Sequence, residues 1–129
     1  MSQSIHQEVE VRAPVEEVYS ALTDASRFAD FSGAPAEIDA RPGGAISLFG
    51  GNIVGTNVDL QPNRRVVQAW RAGNWPEGIY SIIRFELSPA GAGTRLTFDQ
   101  AGHPADAQEM LEGGWYKMYW DPMNAKLAG

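Results

Sequence analysis

Six short strand-like segments follow one another between residues 36 and 100, and this uninterrupted series most limits the folds open to the chain. The segments span residues 36–41, 45–49, 53–60, 66–71, 79–88 and 94–100. Short stretches rich in glycine, proline or asparagine separate them, and such stretches are typical of tight turns. Consecutive strands joined by short turns predict an antiparallel meander.

One further strand and two helices are predicted ahead of this meander. Residues 5–12 alternate between apolar and polar side chains, a pattern that predicts a half-buried strand. Residues 15–22 carry apolar side chains at helical spacing, and a second, shorter helix is expected over residues 26–31. The predicted order is therefore one strand, two helices, six strands and a final long helix, which makes an α+β fold.

The final helical segment, residues 106–127, is the only element long enough to cover one face of a sheet of about seven strands. We therefore expect the sheet to curl around it. Pro122 lacks a backbone donor, so a kink is expected near Asp121. The segment mixes Gly113 and Gly114 with bulky aromatic residues, a mixture that favours a gap between helix and sheet. At Gly114 itself we expect close contact, so that a leucine there would be destabilising.

Length, charge and amino-acid composition limit the kinds of protein that this chain can be. With 129 residues, the chain is expected to form one domain spanning residues 1–129. The net charge of −6 would repel phosphate backbones, so we expect no nucleic-acid partner. No apolar run is long enough for membrane insertion. The absence of cysteine excludes disulfides and thiolate chemistry. No secretory signal is visible in the sequence, which favours a cytoplasmic location.

Residues with catalytic or metal-binding chemistry are sparse. The sequence contains no zinc-protease motif, nucleophile elbow or P-loop. Its two histidines, His6 and His103, are expected to be structural or exposed to solvent. A metal site built from Asp99, His103, Asp106 and Glu109 would require a strand end, a loop and a helix to converge. We therefore expect no metal, no other cofactor and no catalytic residue.

Trp75 is an unusual residue for the turn-forming stretch "GNWPEGIY", residues 73–80. Pro76 suits the second position of a turn and Gly78 the fourth. A tryptophan here indicates either a ring tucked beneath the loop as part of the core or a contact for a ligand or partner. The sequence leaves both interpretations open.

Four short motifs, in this order along the chain, resemble a known family. They are the Gly-rich turn into "NIVG", the stretch "LQPNRRVVQAW", the "WPEG" loop and the "GW" of the last helix. Together with the predicted topology they are similar to the C-terminal domain of activators of the heat shock protein 90 ATPase. That domain belongs to the START-like, birch-pollen-allergen-like superfamily (SRPBCC). The resemblance covers nearly the whole chain and implies a helix-grip fold, in which a curved antiparallel sheet surrounds the C-terminal helix.

Three functions are compatible with this resemblance. The first is a non-catalytic module that holds an apolar or amphipathic small molecule in a cavity between sheet and helix, as many stand-alone members of the superfamily do. The alternative is a co-chaperone-like partner of heat shock protein 90 that regulates its ATPase. A cyclase or hydrolase is a third possibility, which the lack of a convincing buried acid, base or nucleophile disfavours.

Aromatic and methionine side chains are the candidates for lining such a cavity, because apolar ligands are held by such groups with few polar contacts. The candidate residues are Trp70, Trp75, Tyr80, Phe85, Phe98, Trp115, Met118 and Tyr119. A fully packed core built from the same side chains is the competing interpretation.

Overall fold

A computed structural model describes residues 4–127 and contains one seven-stranded antiparallel sheet. The strands are β1 (Ser4–Val11), β2 (Glu37–Ile38), β3 (Ala45–Leu48), β4 (Ile53–Gln61), β5 (Arg65–Ala72), β6 (Ser81–Ala90) and β7 (Gly93–Ala101). Their order across the sheet is β1-β7-β6-β5-β4-β3-β2. Strands β2 to β7 follow one another as neighbours, and β1 pairs with β7, so the predicted meander is confirmed.

The helices also follow the predicted order. They are α1 (Val15–Thr23), α2 (Ala25–Ser32), α3 (Gln108–Trp115) and α4 (Asp121–Leu127), with a π-helical turn (Tyr116–Trp120) between the last two. We refer to α3, the π-helical turn and α4 together as the C-terminal helix. The backbone N–H of Asp121 bonds to the carbonyl of Tyr116, five residues back. The expected kink is thus a widened turn just before Pro122, whose ring would clash with a regular helical carbonyl.

The C-terminal helix packs against one face of the sheet through aromatic rings. The ring centroid of Trp115 lies 4.2 Å from that of Phe98 on β7, and Tyr119 stacks on Phe85 of β6 at 6.1 Å. Trp120 contacts Phe98 edge-on at a centroid distance of 5.5 Å. All five side chains are almost fully buried. The helix-grip arrangement predicted from the sequence is therefore confirmed.

Side-chain hydrogen bonds also fix the C-terminal helix to β1, an edge strand of the sheet. The indole N–H of Trp120 donates to the Gln7 side-chain oxygen at 2.8 Å. Asn124 accepts from the backbone N–H of Arg12 and donates to the carbonyl of Glu10. Edge strands present unpaired backbone groups, and the two bonds to Asn124 satisfy one backbone donor and one backbone acceptor at the end of β1.

The predicted strand over residues 36–41 is shorter than expected, since only Glu37–Ile38 are in β2. Beyond it, the N–H of Arg41 donates to the Asp39 carbonyl at 2.8 Å, and the N–H of Gly44 donates to the Arg41 carbonyl at 2.9 Å. These bonds fold the backbone into turns, so the connection to β3 begins before the Pro-Gly-Gly sequence that marks it.

No helix within residues 4–127 combines the length and the apolar character needed to span a membrane.

Candidate functional site

An apolar groove lies between the C-terminal helix and the β3–β4 end of the sheet, with a volume of about 260 Å³. Its helix wall consists of Met110, Leu111, Gly114, Trp115, Met118 and Tyr119, and its opposite wall of Phe49, Asn52, Ile53, Trp70 and Ala72. The groove opens to the surface along the helix, where the Met110 side chain is 72% exposed and Met118 is 40% exposed. The expected gap between helix and sheet is therefore present at this end.

Gly114 contributes to the opening of this groove. A Cβ atom placed on Gly114 would have no heavy atom within 4 Å, and the same holds for Gly113 on the exposed side of the helix. The expectation of close helix–sheet contact at Gly114 is therefore wrong. The flanking rings of Trp115 and Tyr119 hold the helix away from the sheet, and glycine leaves that space unfilled.

Trp115 is held in place by a buried chain of hydrogen bonds. Its indole N–H donates to the Gln100 side-chain oxygen at 2.8 Å, and the Gln100 amide donates to the Ser81 hydroxyl at 3.0 Å. The Ser81 hydroxyl in turn donates to the backbone carbonyl of Trp70 at 2.8 Å. Because every member is buried and paired, this chain fixes the position of the helix relative to β5, β6 and β7.

Two polar atoms on the groove residues are buried without a hydrogen-bond partner among the described residues: Trp70 Nε1 and the Tyr119 hydroxyl. Burial raises the pKa of the Tyr119 hydroxyl well above its usual value, so it stays protonated. The Trp70 indole lies close enough to offset part of that rise, but not in hydrogen-bonding geometry. Unpaired buried polar groups are rare in proteins, and each is costly.

Four of the eight predicted site residues line this groove, namely Trp70, Trp115, Met118 and Tyr119. The other four lie elsewhere. Phe85 and Phe98 are buried on the sheet beneath the rings of the C-terminal helix, Trp75 is buried under its own loop, and Tyr80 is 48% exposed on the outer surface.

The prediction omitted Met110 and Leu111 as lining residues. Met110 is spaced four residues before Gly114 and eight before Met118, so helical periodicity alone places the three on one face. Phe49, Asn52 and Ile53 were omitted as well, and no local signal marks them. They reach the groove only because β3, β4 and β5 pair side by side.

Trp75 packs against the core, as one of the two interpretations proposed. It is only 8% exposed, and its ring centroid lies 5.7 Å from that of Trp70 in an edge-on contact. The turn is displaced by one residue from its predicted position, since the N–H of Ile79 donates to the Pro76 carbonyl at 3.1 Å. Pro76 is therefore the first residue of the turn and Gly78 the third, where a φ of 82° requires glycine.

Charged side chains are concentrated on the opposite face of the sheet. His6 Nδ1 lies 2.7 Å from an Asp99 carboxylate oxygen, and Arg84 donates to the other oxygen at 3.1 Å. The hydrogen bond with Asp99, followed by the one with Glu8, raises the pKa of His6. Partial burial pushes the pKa of Asp99 upwards, but the hydrogen bonds from His6 and Arg84 outweigh it and the net shift is downwards.

Acid–base and metal-binding groups do not converge on the groove within the described residues. None of its lining side chains is a carboxylate, histidine, lysine or arginine. His103 is buried outside the groove, with its Nε2 bonded to the Gln108 side-chain oxygen. Across residues 4–127, no group of three or more His, Asp or Glu side chains is arranged to hold a metal ion. The lining of the groove is therefore almost entirely apolar.

Comparison of the sequence with models of known protein families identifies the family of this chain. The model of the family Activator of Hsp90 ATPase homolog 1-like protein matches residues 12–128. The chain belongs to this family. The match begins just after β1 and extends through the C-terminal helix, so it includes both walls of the groove.

Individual curated proteins are also similar to this chain. An uncharacterized protein of Schizosaccharomyces pombe is 39% identical over 111 residues, covering 86% of this chain and 33% of that protein. The activator of 90 kDa heat shock protein ATPase homolog 2 of Mus musculus is 34% identical over 113 residues, covering 88% of this chain and 34% of that protein. The chain thus spans about a third of the length of these curated relatives.

A solved structure has the same fold. The crystal structure of an HSP90 activator from Plasmodium falciparum superposes with a TM-score of 0.88 at 27% sequence identity. The superposition covers 95% of this chain and 94% of the other. The helix-grip fold is therefore shared with an HSP90 activator of similar extent.

Proposed function

We propose that this chain binds heat shock protein 90 and regulates its ATPase. The observation that carries the proposal is the 34% identity to the mouse ATPase activator homologue across 88% of the chain. The Plasmodium falciparum HSP90 activator, which matches in fold along almost its whole chain, supports it independently. This makes the chaperone partner, which the sequence offered as the alternative, our preferred function. Such a partner would share the compartment of the chaperone, in keeping with the expected cytoplasmic location.

Titration calorimetry with the heat shock protein 90 of the same organism tests the proposal. We expect saturable binding, and we expect the affinity to depend on the nucleotide bound to the chaperone, because a regulator of an ATPase must distinguish states of the cycle. An unrelated acidic protein of similar size is the control for non-specific association. If no heat of binding is detected at high micromolar concentration, whichever nucleotide is bound to the chaperone, the proposal is contradicted.

The groove favours a second function, the binding of a compact apolar or amphipathic small molecule. Its volume of about 260 Å³ lies just below the roughly 300 Å³ at which pockets for drug-sized ligands begin. The lining is almost entirely apolar, and Gly114 leaves the space open.

Gly114→Leu separates this second function from simple surface adsorption. Its side chain would occupy the groove, whereas Gly113→Leu adds the same side chain on the exposed side of the helix. We expect an environment-sensitive apolar dye to bind wild type and Gly113→Leu alike, and Gly114→Leu at least tenfold more weakly. Equal binding to all three proteins would contradict a ligand site in the groove. Native mass spectrometry of freshly purified protein tests whether a small molecule is retained.

A further inference from the structure

The outer surface around the β5–β6 connection exposes a cluster of large apolar side chains. Ile79 is 39% exposed, Tyr80 48% and Ile82 50%. Ile82 faces away from the C-terminal helix and lies opposite Ala69 on β5 and Ala101 on β7. A shallow hollow of about 520 Å³ continues from Ile82 across the same sheet face, and Arg65, Arg84 and Asp99 also line it. Contiguous exposed apolar groups of this kind mark interaction sites more often than isolated ones do.

Arg71 holds this connection in one conformation. Its guanidinium donates to the backbone carbonyl of Trp75 at 2.9 Å and to that of Pro76 at 3.0 Å. The same guanidinium lies 5.7 Å from the ring centroid of Tyr80, within range of a cation–π contact. The buried ring of Trp75 fixes the loop from below. The exposed side chains are thus presented by an ordered loop, and preorganisation of this kind lowers the entropic cost of binding.

The charge of this surface indicates what it would bind. Glu77 is exposed at the tip of the loop, and no ion pair formed between residues 4–127 includes it. Arg71 is the nearest cation in sequence, and its guanidinium is directed at backbone carbonyls. The whole chain carries a net charge of −6. Beyond Ile82, Arg65 and Arg84 are already paired with Asp59, Glu86 and Asp99. An apolar surface edged by a carboxylate that forms no ion pair within residues 4–127 favours a partner segment in which an apolar side chain stands next to lysine or arginine.

We propose that Glu77, Ile79, Tyr80 and Ile82, which we call the Tyr80 surface, form the docking site for such a segment of heat shock protein 90. The inference rests on the proposed function and adds which face of the molecule makes the contact. In this arrangement Tyr80 and Ile82 bury their exposed area against the apolar side chain, and the Glu77 carboxylate pairs with the basic group. Tyrosine is among the residues that most often dominate binding energy at interfaces, especially where it is rigidly held.

The chain provides matched controls for testing this docking site. Tyr116 is 45% exposed on the π-helical turn, comparable with Tyr80, and it does not line the groove. Glu109 is an exposed carboxylate on α3. The test compares Tyr80→Ser/Ile82→Ser with Tyr116→Ser, and Glu77→Lys with Glu109→Lys. Since all of these positions are exposed, the variants should keep the wild-type thermal midpoint within a few degrees, which circular dichroism checks.

Calorimetric Kd values for heat shock protein 90 decide the outcome. We expect Tyr80→Ser/Ile82→Ser to weaken binding at least tenfold and Glu77→Lys about three- to tenfold, with a reduced salt dependence for Glu77→Lys. Tyr116→Ser and Glu109→Lys should stay within twofold of wild type. Unchanged affinity of the folded Tyr80-surface variants would overturn this docking site while leaving the proposed function intact. No binding by wild type would overturn both, and a selective loss in Tyr116→Ser would assign the contact to the helix instead.

Discussion

Replacement of Gly114 by alanine tests whether the helix really stands away from the sheet. A methyl group there would meet no heavy atom within 4 Å, so it adds no steric cost. Glycine in a helix interior is less favourable than alanine by about 0.8–1.0 kcal/mol, because it loses more backbone freedom on folding. Gly114→Ala should therefore stabilise the protein by about 1 kcal/mol.

Two other glycines provide controls for that value. Gly113→Ala, also free of neighbours, should give the same gain of about 1 kcal/mol. A substitution at Gly55 on β4 should have the opposite effect on stability, because a Cβ atom there would collide with the carbonyl of Ala69 on β5. Gly55→Ala should destabilise the protein by about 1–3 kcal/mol.

Thermal and urea unfolding measure these changes. For a chain of this length, about 1 kcal/mol corresponds to a rise of roughly 3–5 °C in the midpoint. In urea it corresponds to a midpoint shift of about 0.3–1 M. If Gly114→Ala lowered stability as Gly55→Ala is expected to do, the helix would be packed against the sheet at this point. The groove, and the ligand-binding function that depends on it, would then be excluded.

Three further predictions concern the core, the charged face and the loop. Trp115→Phe should destabilise the protein by about 1–3 kcal/mol in urea unfolding, because it leaves the Gln100 side-chain oxygen buried without its donor. An unchanged urea midpoint would show that the hydrogen bond between Trp115 and Gln100 does not stabilise the fold. His6→Asn should lower the thermal midpoint at about pH 5.5 but not at about pH 9. The reason is that the pKa of His6 is raised in the folded protein, so protonated His6 stabilises the fold at pH values below its pKa in the unfolded chain. This stabilisation is lost as the pH rises through the pKa of His6 in the folded protein. An equal loss of thermal midpoint at both pH values would contradict the pairing with Asp99. Arg71→Gln should speed amide exchange in the β5–β6 connection, since it removes the donors to two carbonyls; exchange at the wild-type rate would refute the role of Arg71 in ordering the loop.

The fold could be predicted because several local signals agree. Turn residues separate the strand segments, alternation identifies the inner face of β1, and one long helix is available to cover a seven-stranded sheet. The errors arise at turns, where composition marks a turn but not the residue at which its hydrogen bonds begin. The β2 strand stops at Ile38 because the backbone beyond it turns back on itself. Likewise, the turn after Trp75 begins at Pro76 and places Gly78 at its third position.

The candidate site was harder to predict than the fold. The sequence predicted aromatic and methionine residues as the lining of a cavity under the helix. It could not separate Trp70 and Trp115, which line the groove, from Phe85 and Phe98, which lie beneath the rings, because all four are equally apolar. Which face of the helix lines the groove depends on the exact helical phase. Tyr80 was expected in the cavity, but it lies in the connection just before β6 and is exposed on the outer surface, where it forms part of the Tyr80 surface.

Steady-state ATP turnover by the heat shock protein 90 of the same organism tests the central claim most directly. The chain is titrated from sub-stoichiometric to high micromolar concentration, and a competitive inhibitor of the chaperone's nucleotide site corrects for background hydrolysis. We predict a saturable increase in turnover that Tyr116→Ser retains and Tyr80→Ser/Ile82→Ser reduces. A turnover rate that stays unchanged across the whole titration, with no detectable binding, would contradict the proposed function.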